Sequence, residues 1–513
     1  MTESSDPYRL QDLAERQSRA LAMGGEDKLA RQRAKGRGNA RERVEHLLDP
    51  GSFDEQGLLA TSDLPEAADK TPADGKVCGW GRIDGREVHV SADDVTVLAG
   101  AGGRVGVGKA YRGMQLAAER GLPCVVLGDA GGARVPDIMG SAGMMSMVYP
   151  TQGEPRDRRV PLITAILGEC FGGSAWTASV SDIVLQVKGT AMCVGGPSIL
   201  EIATGEKATT EQLGGWELHA RTTGQVDLFA QDEEECLALV RRALSYFPDR
   251  AGLPPPAAPA PDVETRLDGM MDLVPADPRQ VYDMRRVLEA VCDPGSVLEL
   301  KPLFDPSLIT ALARIGGQVV GILASNPKFT AGAMGPGACQ KAVSFLCLCD
   351  SFHIPLLFLH DTPGFFVGRR AEEGGMPLRI MNWIAALQQC SVPRISLILR
   401  KSYGMAHCNM SGGNMGSDCL LAWPTADVSF MAPAVAVNVV YGRKLLEMPD
   451  PHAARSTFME EIGRANAPWD AAARGYIDRV IDPRDTRIEL LRALSRVKGA
   501  RSQRRLANWP RMA

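Results

Sequence analysis

Short, mainly apolar runs, each closed by a glycine-rich loop, recur along this chain in two sets. Residues 124–127 and 162–167 form one set, and residues 356–359 and 395–399 form the other. Strict alternation of apolar and polar residues would mean a sheet wet on one face. Near-continuous apolar runs, broken only by the small polar residues Thr164 and Ser396, predict strands covered on both faces, the pattern of a parallel sheet. Between the runs, residues 108–120 and 336–352 read as helices, and turns at Gly85 and Gly317 read as hairpin-like strand pairs ahead of them. Strand, loop and helix in this order predict an α/β fold with crossover connections.

The two sets keep one register. Arg82-Ile83-Asp84-Gly85 aligns with Arg314-Ile315-Gly316-Gly317 at an offset of 232 residues. The same offset pairs Lys109-Ala110 with Lys341-Ala342, Pro123 with Pro355, Asp129 with Asp361, Gly132 with Gly364, Val160-Pro161 with Val392-Pro393, and Gly172 with Gly404. One register held this far points to an internal duplication and two homologous domains. A proline-dense segment, Leu253-Pro254-Pro255-Pro256-Ala257-Ala258-Pro259-Ala260-Pro261, cannot sustain regular hydrogen bonding and reads as the linker. The expected domains are 1–255 and 262–513. Residues 8–48, rich in Arg, Ala, Leu and Glu and broken at Gly24-Gly25 and Gly36, read as an N-terminal helical arm, open to either a solvated or a docking role.

Composition narrows the function classes. With 57 Lys+Arg against 61 Asp+Glu the chain has no basic surplus of the kind a nucleic-acid partner needs. Its longest apolar runs fall well short of a membrane span, and Met1 to Tyr8 lack the apolar core of a signal peptide, so a cytoplasmic enzyme without a membrane partner is expected. The twelve cysteines are scattered and none has zinc spacing with histidine, which predicts reduced, mostly buried thiols and no metal.

Two loops carry the candidate chemistry: Gly168-Glu169-Cys170-Phe171-Gly172-Gly173-Ser174-Ala175 and Lys401-Ser402-Tyr403-Gly404-Met405-Ala406-His407. Each follows an expected strand and opens an expected helix. Small residues there leave backbone N–H groups unshielded, and a pair of such donors is what an enolate or tetrahedral oxyanion requires. Matched loops in a duplicated chain suit a reaction with two developing anions. Asp129 and Asp361 read as caps of the turns that follow them rather than as general bases.

Several stretches together resemble the carboxyltransferase β subunits of biotin-dependent acyl-CoA carboxylases, especially the propionyl-CoA carboxylase group. They are Ala40-Arg41-Glu42-Arg43, Leu47-Leu48-Asp49-Pro50-Gly51-Ser52-Phe53, Gly131-Gly132-Ala133-Arg134, Gly172-Gly173-Ser174-Ala175, Asp361-Thr362-Pro363-Gly364-Phe365, Pro393-Arg394-Ile395-Ser396, Arg400-Lys401-Ser402-Tyr403-Gly404, Ala422-Trp423-Pro424-Thr425 and Arg474-Gly475-Tyr476-Ile477-Asp478. The resemblance implies two tandem crotonase-like domains and a ring-shaped hexamer. In that family the active site lies between the first domain of one subunit and the second domain of its partner. It further implies transfer of a carboxyl group from carboxybiotin to the α-carbon of an acyl-CoA, with the thioester on the first domain and biotin on the second. By motif match, the amides of Gly172 and Gly173 would hold the enolate oxygen, and those of Met405 and Ala406 the ureido oxygen of biotin. Gly132, Ala133, Arg134 and Ser411 would line the acyl-CoA site. Gly364, Tyr403, Gly404 and His407 would surround biotin. Arg134 and Lys109 read either as contacts to coenzyme A phosphates or as solvated surface charges.

The chain departs from the family pattern at Met405, where a small residue is usual, and at His407, where an aromatic is usual. His407 reads either as an acid or base beside the expected oxyanion site or, as lone histidines more often are, as a satisfied structural residue. Ser411, followed by Gly412-Gly413, stands where an acidic or apolar residue commonly tunes acyl length, and Ala432-Pro433-Ala434 replaces a Gly-x-Glu. These changes bear on substrate choice more than on reaction class. The chain shows neither the Ala-Met-Lys-Met biotin-attachment sequence nor an ATP-binding module, so a separate biotin carboxylase and carrier subunit is expected. Three rival readings stand beside this one: a carboxyltransferase subunit of a biotin-dependent decarboxylase, a non-catalytic structural paralogue, and a crotonase-type hydratase or thioesterase. The last is disfavoured by the doubled domain and the lack of a catalytic carboxylate pair.

Overall fold

The computed structural model describes residues 8–147 and 158–497. The chain divides into two compact units, Met1–Leu253 and Pro254–Ala513.

In the first unit the strands are β1 (Asp54–Gln56), β2 (Lys76–Ile83), β3 (Arg86–Asp93), β4 (Cys124–Ala130), β5 (Leu162–Phe171), β6 (Ile183–Val187), β7 (Ala191–Cys193) and β8 (Leu228–Ala230). The sheet order is β1-β2-β3-β4-β5-β6-β8, with β7 beside the end of β5. β1, β2 and β3 are antiparallel, and the path from β3 onward is parallel. The second unit has β9 (Leu298–Leu300), β10 (Leu308–Ile315), β11 (Gln318–Ser325), β12 (Leu356–Thr362), β13 (Arg394–Tyr403), β14 (Cys419–Ala422), β15 (Asp427–Ser429) and β16 (Arg479–Val480). Their order is β16-β14-β13-β12-β11-β10-β9, with β15 beside β13. The bounds of β2 to β5 recur in β10 to β13 at the offset of 232 read from the sequence. This is the crotonase-like α/β architecture, built twice.

The apolar runs form the parallel strands, and both faces are buried, as their near-continuous apolar character requires. The strands run three to four residues beyond the runs. β5 continues through Glu169–Phe171 because β7 supplies these residues with a second ladder, and β15 does the same for Lys401–Tyr403. Register shifts at Gly128/Ala130 and at His360/Thr362 bend β4 and β12 just before their glycine loops. The helix expected at 108–120 begins earlier, spanning Arg104–Arg120, and its counterpart spans Pro336–Ser351.

The arm forms helices Leu10–Leu21, Glu26–Ala34 and Ala40–Leu47. It docks on the first unit. Gly24 donates to Thr96 Oγ1 at 3.0 Å, and a Cβ there would lie 2.0 Å from the Thr96 carbonyl, so glycine is required by close approach. Arg43, 2% exposed, reaches beneath the sheet to Asp129 at 2.9 Å and Glu233 at 2.5 Å. The linker packs onto the second unit, with Ala258 N–H donating to the Gly317 carbonyl at 2.9 Å and Arg314 to the Pro256 carbonyl at 2.7 Å.

Lys109 corrects one expectation. It is placed neither to meet a phosphate nor to sit as a solvated charge. Lys109 Nζ donates to the carbonyls of Gly57, Ala73 and Lys76 at 2.6–3.1 Å. Lys341, at the equivalent position, donates to those of Lys301, Phe304 and Leu308 at 2.6–3.1 Å. An ammonium has three protons, and in both units all three are used to pin a loop to the hairpin.

Candidate functional site

In the first unit, β5 ends at Phe171 and Gly172 adopts φ 57°, ψ −117°, a conformation that L side chains rarely take. Helix Gly173–Ser179 starts at once. Gly132, φ 105°, shapes the neighbouring loop, where Gly102 and Ala133 form an isolated parallel bridge. In that bridge Gly102 donates to the Gly132 carbonyl and Arg134 donates to the Gly102 carbonyl, both at 2.8 Å, which turns the Ala133 N–H to the opposite side. Gly132, Ala133, Gly172, Gly173 and Ser174 line one cavity of about 180 Å³. The structure therefore brings these loop residues together, as a shared anion site needs.

The donor pair is not the one the motif match named. Gly172 N–H is already spent on the carbonyls of Cys193 and Val194, both at 3.1 Å. Among the described residues, the amides of Gly173 and Ala133 meet no acceptor. A glycine at the tight turn is needed for the turn itself, whereas its successor at the helix start keeps a free N–H. Gly173 and Ala133 are thus open donors on this cavity wall.

Arg134 is also corrected. It is 5% exposed and paired with Asp137 at 2.6 Å and Asp74 at 2.7 Å, so its charge is consumed inside the unit rather than offered to a phosphate or to solvent. Asp129 and Asp361 do not cap turns. Asp129 pairs with Arg43, and Asp361 pairs with Arg400 at 2.7 Å and Lys401 at 3.3 Å. Gly168 occupies the place of Arg400 in the first repeat, where a Cβ would lie 1.8 Å from Asp129 Oδ1. The first unit therefore takes its cation from the arm, and the second takes it from its own strand.

In the second unit the matching loop follows Tyr403, and helix Gly404–Asn409 begins at Gly404, φ 55°. Met405 is 41% exposed and Ala406 is buried, and neither amide meets an acceptor among the described residues. The bridge between Met334 and Phe365 repeats the first unit's arrangement, with Met334 donating to the Gly364 carbonyl at 3.1 Å and Phe366 to the Met334 carbonyl at 2.8 Å. Gly364 N–H is held by Thr362 Oγ1 at 3.1 Å, leaving Phe365 N–H as the unmatched donor of this loop. Tyr403 is buried with its hydroxyl on Asp427 at 2.6 Å, so it props the loop rather than meeting a ligand.

Ser411 is placed differently from the expectation, and His407 is held by internal partners. His407 Nδ1 lies 2.9 Å from Ser402 Oγ, which is also 2.9 Å from His360 Nδ1, making a buried imidazole–hydroxyl–imidazole chain. Ser411 is fully buried at φ 60°. Its Oγ is 3.1 Å from Ser417 Oγ and its carbonyl accepts from Ser396 at 2.8 Å, so it does not face an acyl pocket in this chain. Sequence reasoning missed His360 and the pair Lys76–Asp93 on the first cavity's floor. Polar residues at alternate positions of an expected buried hairpin were the available signal.

Burial holds His360 down to about 3, with His407 adding to the effect, and burial holds His89 down to about 4 beside the edge of Trp80. Both values lie below the ordinary 6.5, so each imidazole stays neutral when folded while the unfolded chain binds a proton. Stability is complete above pH 6.5 and is lost as pH falls towards the folded values. Between pH 6.5 and 5 each histidine is expected to remove about 2 kcal/mol from the unfolding free energy. Urea unfolding of wild type and His89→Leu at pH 7.5 and 5 checks this. Wild type should lose about 2 kcal/mol more than the variant at the lower pH, and parallel losses would contradict it.

All twelve cysteines are free, nine of them buried. Among the described residues, no group of three or more His, Cys, Asp or Glu could hold a metal, and no helix is long and apolar enough to cross a membrane.

A duplicated crotonase-like fold with a paired amide donor at each glycine loop defines a class of enzyme that steadies anions through its main chain. The carboxyl transferase domain model matches residues 31–508. The propionyl-CoA carboxylase carboxyltransferase subunit of Haloferax mediterranei is 36% identical over 96% of each chain. The methylmalonyl-CoA carboxyltransferase 12S subunit of Propionibacterium freudenreichii subsp. shermanii is 35% identical, over 95% of this chain and 93% of that one. A solved transcarboxylase 12S, described as a hexamer with methylmalonyl-coenzyme A and methylmalonic acid bound, superposes with a TM-score of 0.92 at 34% identity over 99% of both chains. The chain belongs to the carboxyl transferase family and is a carboxyl-transferring enzyme.

Proposed function

We propose that this chain is the carboxyltransferase subunit of a biotin-dependent acyl-CoA carboxylase, with the acyl-CoA held by the first unit and biotin by the second. The observation that carries this reading is the equivalent placement of two unspent amide pairs, Ala133 with Gly173 and Phe365 with Met405, at the same positions of the repeat.

In the first unit the Ala133 and Gly173 amides receive the thioester carbonyl oxygen and hold it as negative charge builds there during loss of the α-proton. Such donors contribute roughly 3 kcal/mol each in a water-poor pocket. In the second unit the Phe365 and Met405 amides fit a ureido oxygen, a planar acceptor of the kind two convergent N–H groups hold, and the exposure of Met405 leaves the loop open to a carried group. Biotin, borne by a separate carrier subunit, supplies the carboxyl group and the nitrogen base. The chain's own part is to bind, orient and stabilise charge, which agrees with the structural use found for Asp129, Asp361 and Tyr403. A homo-hexamer is part of this reading, as in the transcarboxylase 12S structure.

The relatives named methylmalonyl-CoA decarboxylase subunit alpha, 33% identical in Propionigenium modestum and 32% in Veillonella parvula, support a second reading in which the same step runs in reverse. Reconstitution with a biotin carboxylase and carrier subunit, ATP, bicarbonate and a panel of short acyl-CoAs tests both. ATP-dependent fixation of bicarbonate into acid-stable product is expected. Carboxyl loss from a malonyl-type thioester to carrier biotin, without ATP-driven fixation, would favour the reverse direction. Neither activity in an intact assembly would favour a structural role.

A further inference from the structure

The floor of the first unit's cavity carries a buried charge that the proposed transfer does not use. Rows of the sheet explain why. Register pairs Lys76 with Asp93, and in the next row it pairs Cys78, Ser91, Val126 and Thr164. With a period of two along each strand, Lys76, Ser91, Asp93, Val126, Gly128 and Thr164 share one face, and all six line the cavity whose wall bears the Ala133 and Gly173 amides. Lys76 is 8% exposed and Asp93 is 5% exposed.

The ammonium is under-used. Lys76 Nζ pairs with Asp93 Oδ1, and among the described residues that carboxylate is its one acceptor. Lys109 and Lys341 each give all three protons to carbonyls, whereas Lys76 keeps two to offer. The duplication supplies an internal comparison. At the offset of 232 the pair becomes Leu308 and Ser325, held in the same register, and the place of Gly128 is filled by His360. Ser325 Oγ accepts the Asp361 N–H at 2.6 Å as Asp93 Oδ2 accepts the Asp129 N–H at 3.1 Å. The loop-supporting role therefore needs only a hydroxyl, and the ion pair with open space above it is an addition found in the unit proposed to hold the thioester.

We propose that Lys76 is a specificity-determining residue that donates to a neutral oxygen, hydroxyl or keto, on the acyl chain, so that the enzyme takes oxygenated acyl-CoAs in preference to plain alkyl ones. This rests on the reading of the first unit as the acyl-CoA site. A hydroxyl accepts from Lys76 and donates to Asp93, and a keto oxygen accepts from Lys76, so either one gives the ammonium an acceptor it otherwise lacks. An alkyl group leaves the ammonium's remaining donors without an acceptor. A carboxylate sets two anions against one buried cation.

The test measures binding of butyryl-CoA, 3-hydroxybutyryl-CoA, acetoacetyl-CoA and succinyl-CoA to the assembled full-length protein by calorimetry. It then repeats the series with the double variant Lys76→Leu/Asp93→Ser, which installs the pair the second unit already accommodates. The hydroxy or keto thioester should bind wild type roughly tenfold or more tightly than butyryl-CoA, the range expected of a charge-assisted hydrogen bond. In the variant the ratio should fall to near one. A wild-type ratio below about two, a preference for succinyl-CoA, or a preference that survives the double substitution overturns the proposal while leaving the acyl-CoA reading in place. Failure of wild type to bind any of the four thioesters overturns that reading and the proposal with it. If the variant does not assemble, the wild-type ratios decide alone.

Discussion

Gly173→Val is expected to lower kcat/KM for carboxyl transfer by roughly 10²–10³-fold, the loss seen when an oxyanion donor is removed or blocked. The reason is local. Gly173 opens a helix with its N–H unspent, and a Cβ built on it meets no heavy atom within 4 Å because it points into open space on the cavity wall. Valine therefore fits the fold yet stands where the thioester oxygen must approach. Unfolding free energy should change by less than about 1 kcal/mol, since nothing packed is displaced. Gly172→Ala makes the contrast. Its φ of 57° penalises any side chain, so stability and activity should fall together. Steady-state kinetics with urea unfolding of both variants separates the cases. Equal losses of activity and stability in Gly173→Val would mean that the loop is only a turn.

The second large effect belongs to stability. Arg43→Met is expected to cost about 3–5 kcal/mol, the usual penalty for removing one partner of a buried ion pair. Its guanidinium binds Asp129 at 2.9 Å, Glu233 at 2.5 and 3.1 Å and the Leu167 carbonyl at 3.3 Å. Methionine leaves Asp129, 2% exposed, without its cation. Adding Asp129→Asn removes the stranded charge and should recover part of the loss. The second unit gives no such handle on the arm, because Arg400 neutralises Asp361 from within β13. Denaturant unfolding, with limited proteolysis of residues 8–48 as a second readout, checks both parts. Wild-type stability in Arg43→Met would show that the ion network is dispensable.

Much of the molecule was legible in the sequence because it depends on local periodicity and on repetition. Near-continuous apolar runs state that both faces of a strand are covered. A register of 232 residues states that the fold is built twice, and the glycines at 132, 172, 364 and 404 mark where the chain must turn with positive φ. Proline spacing marked the linker. The arm's helices and their breaks followed from composition and glycine placement. Its docking did not, because Arg43 acts on residues 86 and 190 positions away.

What each polar group does with its hydrogen bonds was settled only in three dimensions. Gly172 and Gly173 are alike on paper, yet the first donates to Cys193 and Val194 while the second faces a cavity. Arg134 and Tyr403 sit in matching motifs, and Lys109 and Ser411 are further candidate positions, yet each is consumed by internal partners. Lys76 drew no notice in the sequence and lies on the cavity floor. The reason is physical. Backbone conformation and burial follow from neighbours along the chain, whereas the availability of a donor or a charge depends on acceptors brought from distant strands, and only the folded sheet fixes which of those arrive.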